Sequence, residues 1–213
     1  GSKFLSIITW NWDSSRVFFV RKIRLQQKFN RLHKFIIFIA GYNWSGRMEN
    51  VEYSFQPIID KRSKVLILGS LPGVRSLREN EYYANGQNSF WKIMFSVFVM
   101  PYSSDYRTKI GLLAENRIAL WDVIKSAERT GSSDSSIRTA IPNDVPGLLK
   151  GYPAISSIIF NGGFAFRSYR NYFGKPHLPH TTLLSTSPAC AGRDREKTDM
   201  WERAVRDALR GEL

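Results

Sequence analysis

Lys64-Val-Leu-Ile-Leu-Gly-Ser-Leu-Pro-Gly73 reads as a buried strand that runs into a glycine turn. Its four aliphatic residues leave no polar face, so both sides of the strand must be covered, as in a parallel sheet. Similar units follow along the chain. Ile118-Ala-Leu-Trp-Asp-Val123 and Ser157-Ile-Ile-Phe-Asn161 read as further strands, and Thr181-Thr-Leu-Leu-Ser185 as a fourth. Between them, Phe90 to Phe98, Tyr106 to Glu115, a short helix capped by Pro142-Asn-Asp-Val-Pro146, and a helix from Gly162-Gly163 to about Tyr172 carry helical patterns. An amphipathic helix, Arg195 to Arg210, closes the chain. Strands alternating with helices predict an α/β fold, a parallel sheet with helices on both faces.

In such a sheet the ligand lies beyond the carboxyl ends of the strands. The segments that fall there are the Gly69–Gly73 turn, the Asp122 loop, Asn161-Gly-Gly163 and Ser185-Thr-Ser-Pro-Ala189. Tyr82-Tyr-Ala-Asn-Gly-Gln-Asn-Ser-Phe-Trp91 joins them, since it follows the first strand, and it crowds rings and neutral amides together with hardly a charge. Hydroxyls, amides and aromatic faces suit a flat, neutral ligand with hydrogen-bonding edges. A nucleobase is such a ligand: a ring stacks on it, and a carboxamide reads a donor and an acceptor at once. Asn161, at the end of an apolar strand, has its backbone fixed by the sheet and its side chain placed to grip a base edge. Asn88 also suits the cap of the Phe90 helix, and Asn161 a turn before Gly162-Gly163.

Other chemistries are poorly served. Ser187 and Cys190 are possible nucleophiles with His177 or His180 as base. No Gly-x-Ser-x-Gly elbow exists, however, and both histidines flank prolines in what reads as a surface loop. The Gly69–Gly73 turn has neither the Lys-Ser/Thr ending of a phosphate-binding loop nor a dinucleotide fingerprint. The single Cys190 excludes an internal disulfide framework, and no Cys/His cluster has metal-ligand spacing. A reducing, cytoplasmic setting is expected.

The chain has 213 residues and a net charge of +13. Nine of the 31 Lys/Arg but one of the 18 Asp/Glu fall in residues 1–47, so that segment carries +8 and the remainder +5. The working domain is therefore only mildly basic, which keeps nucleic acid as a partner without making charge the argument for it. Residues 1–47 read as a basic extension, and 48–213 as the catalytic domain, starting at the first methionine, Met48. Apolar runs such as Phe35-Ile-Ile-Phe-Ile-Ala40 are too short to span a bilayer.

Leu68-Gly-Ser-Leu-Pro-Gly73, Tyr82–Trp91 with its Asn-x-Phe-Trp ending, Ile159-Phe-Asn-Gly162 and Ser185-Thr-Ser-Pro-Ala189 occur in one order over about residues 60–210. As an ordered set they resemble the uracil-DNA glycosylase superfamily, and within it the deoxyinosine (hypoxanthine) DNA glycosylases. The resemblance implies a three-layer α/β/α sandwich around a short, mostly parallel four-stranded sheet. It implies a monofunctional, monomeric enzyme that flips a deaminated base out of DNA and hydrolyses its N-glycosidic bond without metal or cofactor, in the cytoplasm or at the nucleoid. It maps Asn88 onto the residue that positions the attacking water, Asn161 onto the base-edge reader and Tyr83 onto the ring that stacks on the flipped base. Gly69 and Ser70 complete the implied base site, and Ser185, Ser187, Pro188, Ala189, Gly192 and Arg193 the segment that grips the DNA backbone. Three positions depart from the pattern. Ser70-Leu71 stands where uracil-directed relatives place an Asp or Asn, Asn85-Gly86 where deoxyinosine-directed relatives have His-Pro, and Cys190 where an Asn follows Ser-Pro-Ala. The implied alternatives are therefore a uracil- or mismatch-directed glycosylase, and a nucleic-acid binder without the chemistry.

Overall fold

The computed structural model describes residues 51–190 and 192–213; the basic extension, 1–47, lies outside them. Four strands form the central sheet: β2 (Val65–Gly69), β3 (Ile118–Asp122), β6 (Ser157–Asn161) and β7 (His180–Leu183). Their order is β3-β2-β6-β7 and every pairing is parallel.

The period-two alternation of each strand divides the core into two layers. Val65 and Ile67, Ile118 and Leu120, and Ile159 face one side. There they pack with Phe90, Met94, Leu113 and Trp201 from α2 (Phe90–Val97), α3 (Tyr106–Glu115) and α6 (Asp194–Arg210). Leu66, Leu68, Ala119, Ile158 and Phe160 face the other side, against Val145, Ala165 and Tyr169 from α4 (Val145–Gly151) and α5 (Gly163–Phe173). Helices on both faces of one parallel sheet give the three-layer sandwich.

The sequence reading missed a second sheet. Val51–Tyr53 (β1), Ile124–Glu128 (β4) and Arg138–Pro142 (β5) form an antiparallel sheet in the order β1-β4-β5. Both pairings of β4 lie here, and its register with β5 shifts on either side of Ser126, so the alternation that marks a regular hairpin is broken in the sequence. The serine-rich stretch before β5 holds a single 3₁₀ turn, Asp134–Ser136, and α1 (Val74–Glu79) follows the Gly69–Gly73 turn.

One strand also shifts. The fourth strand starts at His180 rather than Thr181, so His180 is not in a surface loop. It is half-buried, its ring stacked on Phe166 at 5.7 Å and its Nδ1 3.0 Å from the Leu178 carbonyl. That packing removes it from any serine or cysteine nucleophile.

Trp201 ties the closing helix to the strand ends. Fully buried, it meets Phe90 edge-on and donates from Nε1 to the Leu184 carbonyl at 2.9 Å, just ahead of the Ser185 loop. Trp201→Phe keeps an aromatic ring but leaves that carbonyl without its partner. A loss of about 2 kcal/mol is expected, seen as a fall of about 4–8 °C in melting temperature. An unchanged melt would show that the bond contributes nothing.

Candidate active site

Register sets the site. Gly69 pairs with Asp122 across β2 and β3, and Asn161 lies one residue beyond the Leu68–Phe160 pair, so all three sit at one level on the carboxyl edge of the sheet. By alternation each continues the same stripe: Val65, Ile67, Gly69; Ile118, Leu120, Asp122; Ile159, Asn161. They therefore face the layer that holds Tyr83 and Phe90.

Asn161 is the hub. Its Nδ2 donates to Tyr83 Oη and to Thr186 Oγ1, both at 2.9 Å, and its Oδ1 accepts from the Thr186 N–H at 2.9 Å. Asn161 is 8 % exposed and Thr186 1 % exposed. Both amide protons of Asn161 are thus engaged within the protein. The glycine that follows allows this closeness. Gly162 has φ +98°, and a methyl group there would lie 3.0 Å from the Ser185 Cβ.

Tyr83 stacks one face on Phe90 at 4.1 Å and 27°, and among the described residues no other ring stacks on it. Its backbone is left-handed, φ 53°, a conformation that is uncommon and costly for an aromatic residue. The loop around it is held from several sides. The Trp91 indole donates to the Tyr82 carbonyl at 2.8 Å, the Tyr82 N–H to Tyr106 Oη at 3.0 Å, and the Ala84 N–H to Ser76 Oγ at 3.2 Å.

Asn88 lies at the end of this loop. Its Oδ1 accepts from the Phe90 N–H at 3.0 Å, so it partners the first turn of α2, although the N-cap position itself is Ser89. The Ser89 N–H donates to the Thr186 carbonyl at 3.0 Å, which joins the Asn88 loop to the residue that holds Asn161. The Ser185–Ala189 segment is anchored through the same threonine. Beyond it, the Ser187 N–H donates to Ser185 Oγ (3.2 Å) and the Ala189 N–H to Ser187 Oγ (3.3 Å), leading into a 3₁₀ turn over Pro188–Cys190. Buried Lys197 donates to the Cys190 carbonyl at 2.9 Å and fixes that turn from α6. Gly192 is exposed with φ +90°, and exposed Arg193 is paired with Glu196.

Among the expected site residues, Ser70 has another engagement. Ser70 Oγ donates to Asp134 Oδ1 at 2.7 Å, turned toward the 3₁₀ turn. Leu71 is buried in a small cluster with Ile124 and Ala127. The first turn therefore contributes Gly69 and backbone, with no carboxylate or amide to handle water.

Sequence reasoning placed the Asp122 loop at the ligand edge but gave no role to the Asp122 side chain, which is 3 % exposed with Oδ2 unpartnered among the described residues. The signal was present. Ile-Ala-Leu-Trp-Asp122 and Ser-Ile-Ile-Phe-Asn161 are both five-residue strands that end in a polar side chain at the ligand edge. Burial, and then the neighbouring Asp134 carboxyl, push the Asp122 carboxyl up to about 8, against a smaller pull down from Arg129. Burial foremost, then Asp122, holds the Tyr83 hydroxyl well above the ordinary tyrosine range.

A groove of about 730 Å³ lies elsewhere, between β7 and the outer side of α6, lined by Arg195, Glu196, Asp199 and Arg203 among others. It is open and salt-lined, and neither Asp122 nor Asn161 is among its lining residues. Convergence of polar groups marks the site better than groove size. Among the described residues no group of three or more His, Cys, Asp or Glu is arranged to hold a metal ion, and no helix is long and apolar enough to cross a membrane.

This fold agrees with comparison to known proteins. The family model of the Uracil DNA glycosylase superfamily matches residues 56–210. A hypoxanthine DNA glycosylase of Methanosarcina acetivorans is 38 % identical over 157 residues, 73 % of this chain and 99 % of that protein. A protein of the same name from Methanosarcina barkeri is 37 % identical over 109 residues, 51 % of this chain and 69 % of that one. A solution NMR structure from Methanosarcina acetivorans, described as a candidate uracil DNA glycosylase, superposes with TM-score 0.64 at 33 % identity, covering 74 % of this chain and 98 % of its own. The chain belongs to the uracil DNA glycosylase superfamily, and with it to the DNA glycosylases.

Gly69 tests the packing of the site. A methyl group there would lie 2.4 Å from Asp122 Oδ1 and 3.0 Å from Tyr83 Oη. Gly69→Ala must displace a buried carboxyl, at an expected cost of about 1–3 kcal/mol. A lowered melting temperature together with reduced base release is the expected outcome. Wild-type values for both would mean that the strand edge is looser than its geometry.

Proposed function

We propose that the protein releases hypoxanthine from deoxyinosine in DNA, taking the flipped nucleotide into the strand-end site. The observation that carries this reading is the join between Asn161 and Tyr83. A carboxamide and a ring with one face backed by Phe90 meet at the sheet edge, with no ionised group bonded to either. Such a site favours a neutral, flat base over a charged ligand. The names of the two Methanosarcina relatives support hypoxanthine in particular. Ser70 and Leu71, one committed to Asp134 and the other buried, weigh against uracil as the main substrate.

In this reading Tyr83 stacks on the base with its free face. Asn161 reads the base edge by exchanging its bond to Tyr83 Oη for one to the base, while Thr186 keeps the other amide proton. Gly69 leaves room at the strand end for the Asp122 carboxyl beside Tyr83 Oη, and Ser70 acts through its bond to Asp134. Asn88 Oδ1 uses one lone pair on the Phe90 N–H, and its second accepts from a water and aims it at C1′. Ser185, Ser187, Pro188 and Ala189, with Gly192 and Arg193, lie along the DNA backbone. The enzyme acts as a monomer on DNA carrying deaminated bases, in a reducing cytoplasmic or nucleoid setting. Flipping costs a few kcal/mol and is cheapest for mispaired or damaged bases.

Duplexes carrying inosine, uracil or xanthine, followed by alkaline cleavage of abasic sites, test the reading directly; inosine should be cut fastest. Asn88→Ala should slow single-turnover release by about 100-fold, a typical loss when a water-positioning contact goes, while inosine-DNA binding survives. Near-normal release by a folded Asn88→Ala protein would remove Asn88 from the reaction, and preferred release of uracil would replace the substrate.

Residues 1–47 are read as an extension to this machinery. A chain beginning at Met48 should then excise as the full chain does. Lost activity that returns at low salt would instead assign DNA contacts to the basic residues of the extension.

A further inference from the structure

Asp122 is a carboxyl buried at the ligand edge with one oxygen unpartnered among the described residues, and such a group calls for an explanation. Its Oδ1 fills the space that a side chain at Gly69 would take, beside Tyr83 Oη, which carries the bond from Asn161. It therefore belongs to the wall that would meet a base held between Tyr83 and Asn161. Asn161 has at most one amide proton to offer that base, because Thr186 keeps the other. Charge developing on a departing purine would have one hydrogen bond to stabilise it and nothing at its other acceptors.

We propose that Asp122 is a catalytic residue of base release, the acid that gives its proton to a ring nitrogen of the departing base. The role rests on the base-release reading above. In the step, the bond from C1′ to the base breaks with its electron pair passing to the base, and the Asp122 proton joins the base. The water at Asn88 adds its oxygen to C1′ and gives up one proton to solvent. The products are a neutral free base, an abasic sugar hydroxyl and an Asp122 carboxylate, which solvent reprotonates.

The surroundings of Asp122 keep the proton in place near neutral pH. Three acids and one cation share this region. Arg129, its side chain fully buried, is paired with Glu52 from β1, and its charge also acts on Asp134 in the 3₁₀ turn and on Asp122 itself. Tyr82 and Tyr83 face Asp122 from the loop before α2, and each hydroxyl is held up by it. Ionising Asp122 would place a negative charge in a site only 3 % exposed, beside the Asp134 carboxyl. A carboxyl at about 8 carries its proton at pH 7 and is still acidic enough to give it up. The Tyr83 hydroxyl, pushed far higher, is too weak an acid for the task.

The sign of the pH dependence follows. The unfolded carboxyl ionises near 3.8 and the folded one near 8, so the folded state holds more protons between them, and stability falls as pH rises across that window. Asp122→Asn, neutral throughout, should melt together with wild type at about pH 4 and above it at about pH 8.

Single-turnover release from inosine duplex, followed from about pH 6 to pH 9.5, decides the role. Wild type should hold its rate to about pH 8 and then fall about tenfold per pH unit, as the loss of one essential proton requires. Asp122→Asn should be about 100-fold slower at pH 7 and lack that fall. A folded Asp122→Asn protein with the wild-type rate and profile overturns the role and leaves hypoxanthine release standing. Should the variant fail to fold, the wild-type profile decides alone, since a rate that stays level or climbs through pH 9 excludes an acid of this kind. Wild type that releases no base at any pH overturns the reaction, and the role of Asp122 with it.

Discussion

The carboxamide of Asn161 is the contact on which the rest of the site depends. Its three hydrogen bonds join the end of β6 to the loop carrying Tyr83 and to the backbone and hydroxyl of Thr186. Through Thr186 they reach Ser89, and so the first turn of α2. Three segments far apart in sequence are thus brought to one amide. A buried donor or acceptor left without its partner costs about 1–3 kcal/mol, so the arrangement is strongly fixed while the amide stays bonded. The same amide is suited to reading a base, which makes the hub of the free protein the natural point of contact for a ligand.

Charge around this hub is arranged so that Asp122, at the strand ends, keeps its proton. Arg129 brings a buried cation from the end of the antiparallel sheet, and Glu52 comes from the first strand of the same sheet. This small sheet lies outside the three-layer sandwich, yet it sets the electrostatics of the strand ends. Asp134 is held by Ser70, and Asp122 is left with its proton. Neutrality here comes from counting fixed charges in a dry place, and no close ion pair to Asp122 is involved.

Much of this was legible in the sequence because the central strands are simple. Val65 to Gly69 and Ser157 to Asn161 are fully buried on both faces and announce themselves as apolar runs. The ligand edge then followed from the rule for parallel sheets, and with it the segments around Gly69, Asn161 and Ser185. The antiparallel sheet was not legible. Its strands are three to five residues long, Lys125 and Arg138 lie exposed within them, and the register shifts twice. The roles of Thr186 and Lys197 were hidden for another reason. Each acts by reaching a backbone group or side chain distant in sequence, and nothing in local composition records a tertiary hydrogen bond. Ser70 illustrates the same point, since its partner Asp134 is 64 residues away.

The left-handed backbone at Tyr83 makes this position a conflict between comfort and use. Glycine or asparagine would relax the backbone strain at φ 53° by about 1 kcal/mol, less than the loss of the ring's packing and of the partner of buried Asn161. Backbone preference taken alone would therefore favour such a substitution here. What it would discard is the ring against Phe90 and the hydroxyl that holds Asn161. A glycine at position 83 would sit at ease in its backbone beside an empty wall and a buried amide left without its partner.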